Sequence, residues 1–324
     1  MAALFYKIWR IENIEVDDMK YVLKRLCSAV IVLFVMSVVI FLIIHWIPGD
    51  PAEIYAGTGA SASTVETVRK TMGLDRPLVV QYVDWLKGVF QGDFGISLST
   101  KEEILPTLAT KFINTLQLSV YGAAFAIICG IGLGVLSALY HNTIIDVFSM
   151  LVAIIGISMP VYWVGMLLVM VFSIQLGIFP VTGNETWLSY VLPSICIGLN
   201  SLAVITRMTR SSMLEVLNED YIVTAVAKGL RKPSIYFVHA LKNAMIPIIT
   251  TIGMQFGYLM GGSVLTETVF VYPGLGKYLV DSIQARDYPA IQASLLVLVT
   301  VFIIVNFLVD LAYFMLNPRL RSEG

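Results

Sequence analysis

LCSAVIVLFVMSVVIFLIIHWI, residues 26–47, contains no Asp, Glu, Lys or Arg. At 1.5 Å of helical rise per residue, such a run reaches across a hydrocarbon core about 30 Å thick. Five further runs are equally free of those four residues: 112–140, 147–176, 187–206, 244–266 and 288–309. One charge at the centre of a span costs roughly 2.5 to 3.5 kcal/mol on insertion scales, so six such windows in one chain are not accidental. Composition agrees, with 57% apolar residues, 13% charged and a mean hydropathy of +0.82, against about half apolar and a quarter charged in soluble domains. The expected fold is an all-α integral membrane protein with six transmembrane helices. The third run is overlong, and Pro160 and Gly177 are expected to kink and end it. The first run exceeds a signal-peptide core and ends in IPGDP rather than a small-x-small cleavage site, which reads as a retained anchor.

Lysine and arginine set the expected orientation. Lys7, Arg10, Lys20, Lys24 and Arg25 precede the first span. Arg207, Arg210, Lys228, Arg231, Lys232 and Lys242 lie between spans four and five, and Arg319 and Arg321 follow the sixth. With these segments inside, both termini are cytoplasmic and the chain is a multi-pass plasma-membrane protein. The division that follows is an N-terminal extension (1–18), disordered or cytoplasmic, and a first span with its basic start (19–47). An extracytoplasmic loop (48–111) precedes a five-span core (112–318), which carries a cytoplasmic loop (207–243), and a short cytoplasmic tail (319–324) ends the chain. The outer loop alternates turn signals with amphipathic pieces, including a helix over 63–72 opening at Ser61 or Ser63, and reads as an ordered element.

Several chemistries are disfavoured. Cys27, Cys129 and Cys196 all sit in apolar runs without metal or redox spacing, as small buried hydrophobes do. His45, His141 and His239 are far apart and assemble no zinc or triad pattern. DFG at 93–95 has no kinase catalytic loop or glycine-rich strand to accompany it. GLGKY at 274–278 resembles the end of a nucleotide-binding loop, but Val271 replaces its first glycine and Tyr278 its magnesium-binding hydroxyl. No carboxylate lies within a span to relay protons. A net charge of −1 gives no sign of nucleic-acid binding. Gly253, Gly257 and Gly261, like Gly130 and Gly134, recur every four residues and make flat stripes for close helix approach or for a pathway. Glu267, Asp146 and Asp310 stand at span ends; the latter two read as solvated at the interface, and Glu267 as a group near an outer gate.

The loop 207–243 is the most specific region. Ser212 followed by Glu215 has capping-box spacing. After Asn218–Glu219, Asp220 is placed to cap a short helix over 221–228, with Lys228 favourable at its carboxyl end and Gly229 as its left-handed stop. Two turns alone are unstable in water. Ile222, Ala225, Val226 and Gly229 nevertheless form one stripe at i, i+3, i+4 and i+7, so something is expected to dock there. Arg231–Pro233 ends the element, and a helix resumes over 236–244.

YIVTAVAKGLRKPSIYFVHALKNAMIP (221–247) resembles the cytoplasmic "EAA" loop of permease subunits of bacterial ABC importers, in the branch for di- and oligopeptides, glutathione or nickel complexes. The resemblance continues through MKYVLKRL (19–26), IPGDPAE (47–53), MGLDRPLVVQYVDWL (72–86), GDFGISL (92–98), ISMPVYW (157–163), ETVFVYPGLGKYLVDSIQARDYPAIQ (267–292) and NPRLR (317–321). It implies a type I importer permease fold. It also implies as partners a homologous second permease, two cytoplasmic ATP-binding subunits, an extracytoplasmic substrate-binding protein and membrane lipid, with no nucleic acid. ATP and Mg belong to the partner subunits, and this chain binds no cofactor, holds no metal and is not an enzyme. Asp220, Tyr221, Ile222, Ala225, Val226, Lys228, Gly229 and Arg231 are then the ATPase-coupling residues, while Gly253, Gly257, Gly261 and Glu267 belong to the pathway or its helix packing. Val223 and Thr224 replace the Glu and first Ala of the general motif, and Val226 stands where this branch commonly has arginine, which puts a salt bridge from that position in doubt.

Two other classes make different demands on the spans. A membrane enzyme needs convergent Asp, His, Ser or Cys groups at one depth, and a stand-alone channel or secondary carrier predicts internal repeats and midplane charges; the spans contain neither. Peptide, glutathione and nickel complex are not separable from these residues, although the overall match is slightly closer to the glutathione and dipeptide types, through NEDY, KNAMIPIIT and GGSVLTETVF.

Overall fold

The computed structural model describes residues 16–46, 49–57 and 59–316. The chain begins with α1 (Val16–Trp46). Three short helices follow on the loop, α2 (Pro51–Ala56), α3 (Ala62–Thr71) and α4 (Leu78–Phe90), and then α5 (Ile104–Leu139), α6 (Ile144–Ser158) and α7 (Val161–Leu168). A π-helical stretch, Val169–Gln175, extends α7 before α8 (Leu188–Leu217) and the short α9 (Asp220–Ala227). A second π-helical stretch, Ser234–Ala240, runs into α10 (Leu241–Val269), and α11 (Leu275–Gln284) and α12 (Tyr288–Leu316) complete the order. The expected extension 1–18 overlaps α1 by its last three residues; the rest of it, and the tail 319–324, lie outside the described residues.

Five helical segments cross a membrane by length and apolarity: Val22–Ile43, Ile104–Leu139, Leu188–Leu217, Ser234–Val269 and Tyr288–Ala312. The sixth span is α6 and α7 together, bent by 108°, a sharper break than a kink. Met159 is extended (φ −88°, ψ 133°), as the residue before a proline prefers, and Pro160 has no N–H to continue the ladder. Gly177, at φ +62°, turns the chain beyond Gln175. We refer to the end of the bundle holding α9 and both ends of the described chain as the terminal side, and to the other as the loop side.

Several helices overrun their apolar windows, because such a window marks the bilayer and not the end of the hydrogen-bond ladder. The capping box expected at Ser212 is absent for this reason: α8 runs unbroken to Leu217, and Ser212 is buried with its Oγ 3.6 Å from Met208 Sδ. Likewise the helix expected over 236–244 starts earlier, at Ser234, where Pro233 supplies a pre-set turn. On the loop, α3 opens one residue before its expected start; Ser61 Oγ accepts from Thr64 N at 3.2 Å.

The bundle packs through glycines. A Cβ on Gly134 of α5 would sit 2.7 Å from Thr206 O of α8, and one on Gly198 of α8 would sit 2.7 Å from Gly122 O of α5. Gly253 and Gly257 of α10 meet Val309, Val305 and Asn306 of α12, whereas Gly261 has only Phe302 within reach, at 3.8 Å.

One carboxylate ties the 97–99 segment of the loop to the bundle. Asp287, between α11 and α12, is buried and accepts from Leu98 N at 3.0 Å, from Ser99 N at 3.3 Å, and from the hydroxyls of Ser97 and Ser99. It also accepts from Ala290 N at 3.3 Å, in the first turn of α12. Asp287→Ala leaves buried donors unsatisfied, at about 1 to 3 kcal/mol each. We expect a lower apparent melting temperature and new protease cleavage within 92–103; an unchanged digest would show that the loop is held elsewhere.

Candidate functional site

α9 is built from both sides of its sequence. Glu219 is extended (φ −75°, ψ 146°) and caps the helix through its carbonyl, which receives Ile222 N at 2.9 Å. Asp220 is therefore the first helical residue and not the cap expected of it; its carboxylate stands in the first turn, where the helix dipole favours it. Lys228 is the last cap position rather than a helical residue. Gly229 takes φ +73°, with its N–H on Val226 O at 2.9 Å, a left-handed conformation that side chains resist.

The stripe expected to dock on a partner is split. Ile222 and Ala225 are buried in the chain's own core with Val135 and Ala138 of α5, Met213 of α8, Ile235, and Ala240, Ala244 and Ile248. Val226, by contrast, is 59% exposed, and Val223 is 62% exposed beside it. The reason is rotational: residues 222 and 225 turn inward together, which leaves 223 and 226 one step around the helix in the open. Tyr221 is exposed and its hydroxyl accepts from Asn243 Nδ2 of α10 at 2.8 Å; Lys228 and Arg231 are exposed, and Leu230 adds a further apolar group outside.

On the loop side, Glu267 of α10 is 0% exposed, so it is enclosed within this chain and not at an open gate. Thr115 Oγ1 of α5 donates to its Oε1 at 2.7 Å, Lys277 N donates to its Oε2 at 3.0 Å, and Leu275 N donates to Thr115 Oγ1 at 2.8 Å. A Cβ on Gly274 would lie 2.4 Å from the Glu267 carboxyl, so only glycine allows the turn into α11 to close over it. Tyr272, fully buried in that turn, donates to Asn114 O at 3.0 Å. Burial raises its phenol pKa, as does neighbouring Tyr190, which keeps the hydroxyl a donor.

A second constellation on the terminal side was not expected. Asp146, in the first turn of α6, is buried, not solvated. Arg210 of α8 grips it with Nε to Oδ1 at 2.7 Å and Nη2 to Oδ2 at 2.8 Å. Ser137 Oγ of α5 also donates to Oδ1, and Asn142 N donates to Oδ2 at 3.0 Å. His141 Nδ1 stands 3.0 Å from Arg210 Nη2. The clamp joins α5, α6 and α8 immediately before α9. Asp310 is also paired, its Oδ2 lying 3.0 Å from Arg25 Nη1 and linking α12 to α1. Among the described residues, no three His, Cys, Asp or Glu side chains converge to hold a metal ion.

Removing one partner of a buried pair strands the other charge, at about 3 to 5 kcal/mol, whereas an apolar replacement of both is often neutral. We expect Arg210→Ala to lower the unfolding temperature of the purified protein sharply, and the double variant Asp146→Leu with Arg210→Met to recover most of the loss. Equal losses in both would show that the pair is not acting as a unit.

Comparison with known proteins follows the same lines as this geometry. The family described as "Binding-protein-dependent transport system inner membrane component" matches residues 130–322, and its N-terminal companion, "Binding-prot-dependent transport system membrane comp, N-term", matches residues 18–119. The chain is 44% identical over 305 residues to the "Glutathione transport system permease protein GsiC" of Escherichia coli (strain K12), covering 94% of this chain and 100% of that protein. The protein of the same name from Shigella dysenteriae serotype 1 (strain Sd197) has the same identity and coverage. A solved structure, "Crystal structure of an amino acid ABC transporter with histidines", shares the fold with a TM-score of 0.52 at 14% identity, over 64% of this chain and 93% of that one. The chain thus belongs to the binding-protein-dependent transport system inner membrane component family and is an ABC importer permease of the dipeptide, oligopeptide, glutathione and nickel branch.

Proposed function

We propose that this chain pairs with a homologous permease to form the path of an ATP-driven importer for glutathione and related small peptides, with its terminal side in the cytoplasm. Oligopeptides and nickel complexes are the other cargoes of the branch. The distribution of lysine and arginine supports the orientation, and likeness to proteins named for glutathione transport supports the cargo. Two cytoplasmic ATP-binding subunits supply ATP and Mg, a substrate-binding protein delivers cargo on the loop side, and this chain performs no catalysis and binds no cofactor.

The observation that carries the reading is the division of α9. Ile222 and Ala225 root it in the core, while Val223 and Val226 are offered outward on a helix whose eight residues are too few to persist unaided. A cleft of an ATPase completes such an element, with Lys228 and Arg231 at its polar edge. Tyr221, through Asn243, carries the contact to α10. The Gly253 and Gly257 part of the glycine stripe is filled by α12, so the path and the second permease are assigned to the neighbouring, exposed face of α10, at Met254, Tyr258 and Leu265.

Val226→Glu alters only an exposed side chain and is expected to reduce recovery of the ATPase with the purified permease at least tenfold without lowering the amount in the membrane. Gly229→Pro and Ala225→Arg are expected to abolish uptake into proteoliposomes. Normal uptake by all three would sink the docking role of α9. For the cargo, thermal shift of the cognate binding protein with glutathione, dipeptides and a nickel chelate decides, glutathione being expected to give the largest shift.

A further inference from the structure

Among the loop helices, α4 has three distinct faces. Gln81, Tyr82, Trp85 and Val89 turn toward the bundle. Tyr82 Oη lies 2.8 Å from Ser37 Oγ of α1, Gln81 Oε1 lies 3.3 Å from His45 Nε2, and the Trp85 and Phe41 ring centroids are 6.0 Å apart. Asp84 and Lys87 form a second, more polar face that also carries exposed Val80, and there Arg76 Nη1 donates to Asp84 Oδ2 at 3.2 Å. The third face is apolar: Val79, Val83, Leu86 and Phe90 recur at i, i+4, i+7 and i+11, with Leu86 half-buried, Val83 exposed, and Val79 73% and Phe90 83% exposed. A helix in plain water has no reason to add such a stripe to a face already packed.

The depth of the contact identifies what covers the stripe. Ser37 lies ten residues inside the end of the charge-free run 26–47 that makes the first span. Tyr82 therefore meets α1 below the end of its hydrocarbon-spanning stretch. Val35, Val39 and Ile43 of α1, on the side of that helix turned away from α4, are exposed as well, as expected of a first span at the edge of the bundle. An amphipathic helix at the boundary buries its apolar face in the outer part of the acyl region, the position that a contact inside the apolar run of α1 gives α4.

We infer that α4 is not a water-exposed loop helix but an interfacial one, seated in the leaflet on the loop side with Val79, Val83, Leu86 and Phe90 against acyl chains. Asp84 and Lys87 point to headgroups and water, Lys87 by extending its stem along the boundary. α4 thus widens the lipid footprint of the first span and fixes the height of the loop above the membrane. This does not depend on which cargo is carried.

The test uses the full permease, assembled with its partners, in nanodiscs of phosphatidylethanolamine and phosphatidylglycerol. After replacement of Cys27, Cys129 and Cys196, nitroxide labels at 79, 83 and 90 are expected to collide with oxygen at least threefold more than with a water-soluble nickel chelate, and a label at 84 to show the reverse. Preference for the nickel chelate at 79, 83 and 90 would overturn the assignment. Benzoylphenylalanine in place of Phe90 needs no cysteine replacement and is expected to yield phospholipid adducts on irradiation. Adducts to the binding protein or to the second permease in their place would show a protein docking face and overturn it equally.

Discussion

The close approach of α5 and α8 is the constraint on which the rest of the bundle depends. Inside a bilayer, lipid is as apolar as leucine, so helices gain little from hiding apolar surface and associate through contact that small residues permit. Gly122, Gly130 and Gly134 of α5 lie directly against backbone carbonyls of α8, and Gly198 of α8 returns the contact against Gly122. An added Cβ at any of these four meets the other helix at 2.5 to 2.9 Å, and at Gly134 and Gly198 the obstacle at 2.7 Å is a backbone carbonyl that no rotamer moves. The pair is then pinned toward both ends by buried carboxylates of other helices: Asp146 is held by Ser137 and Arg210 on the terminal side, and Glu267 by Thr115 on the loop side. In a region of low dielectric, each acid is tolerated because its oxygens are met by several donors.

α9 depends on that pair rather than on its own propensity. Eight residues do not repay helix nucleation. Burying Ile222 contributes roughly 1.5 to 3 kcal/mol, and the surface it buries against comes from the ends of α5 and α8. Gly229 then ends the helix in a conformation that sends the chain back toward Ser234. The outward residues add nothing to this anchoring, which is why their exposure is informative: Val223 and Val226 are surplus to the fold.

What was legible in the sequence was what local chemistry decides. Charge-free windows located every span, Pro160 the break in the third, Gly229 the stop of α9, and the every-fourth glycines the flat faces of α5 and α10. The residues that bring distant segments together left no local trace. Asp146 and Arg210 are 64 positions apart, and Asp287 is 188 to 190 positions from the serines and amides it binds. Read alone, each is a polar residue near a span end, for which solvation is the natural reading. Periodicity found the apolar residues of α9 but could not tell an inward partner from an outward one, since both lie within one broad arc. In α4 the apolar stripe is plain once its packed face is known. Before that, Tyr82 and Trp85 merge with Val79 and Val83 into an undivided apolar helix.

These connections determine how a displacement of α9 must travel. Close-packed interiors resist compression, and Ile222 and Ala225 share one buried cluster with Val135 and Ala138 of α5, Met213 of α8 and the segment from Ile235 to Ile248, with the π-helical stretch Ser234–Ala240 as the nearest neighbour of α9. On the docking proposed for its outer face, a displacement of α9 would enter the buried cluster it shares with the ends of α5 and α8. Through Asp146 it would pass also to α6, which Arg210 and Ser137 hold to those two helices. Beyond α6 the chain reaches Met159 and Pro160, where the hydrogen-bond ladder is interrupted and the span turns by 108°. A rigid block on one side of a break without a continuous ladder is the arrangement in which a few dihedral angles absorb the difference between two positions. The same break that bends the third span is thus the natural place for the bundle to yield, while the glycine contacts of α5 and α8 stay closed.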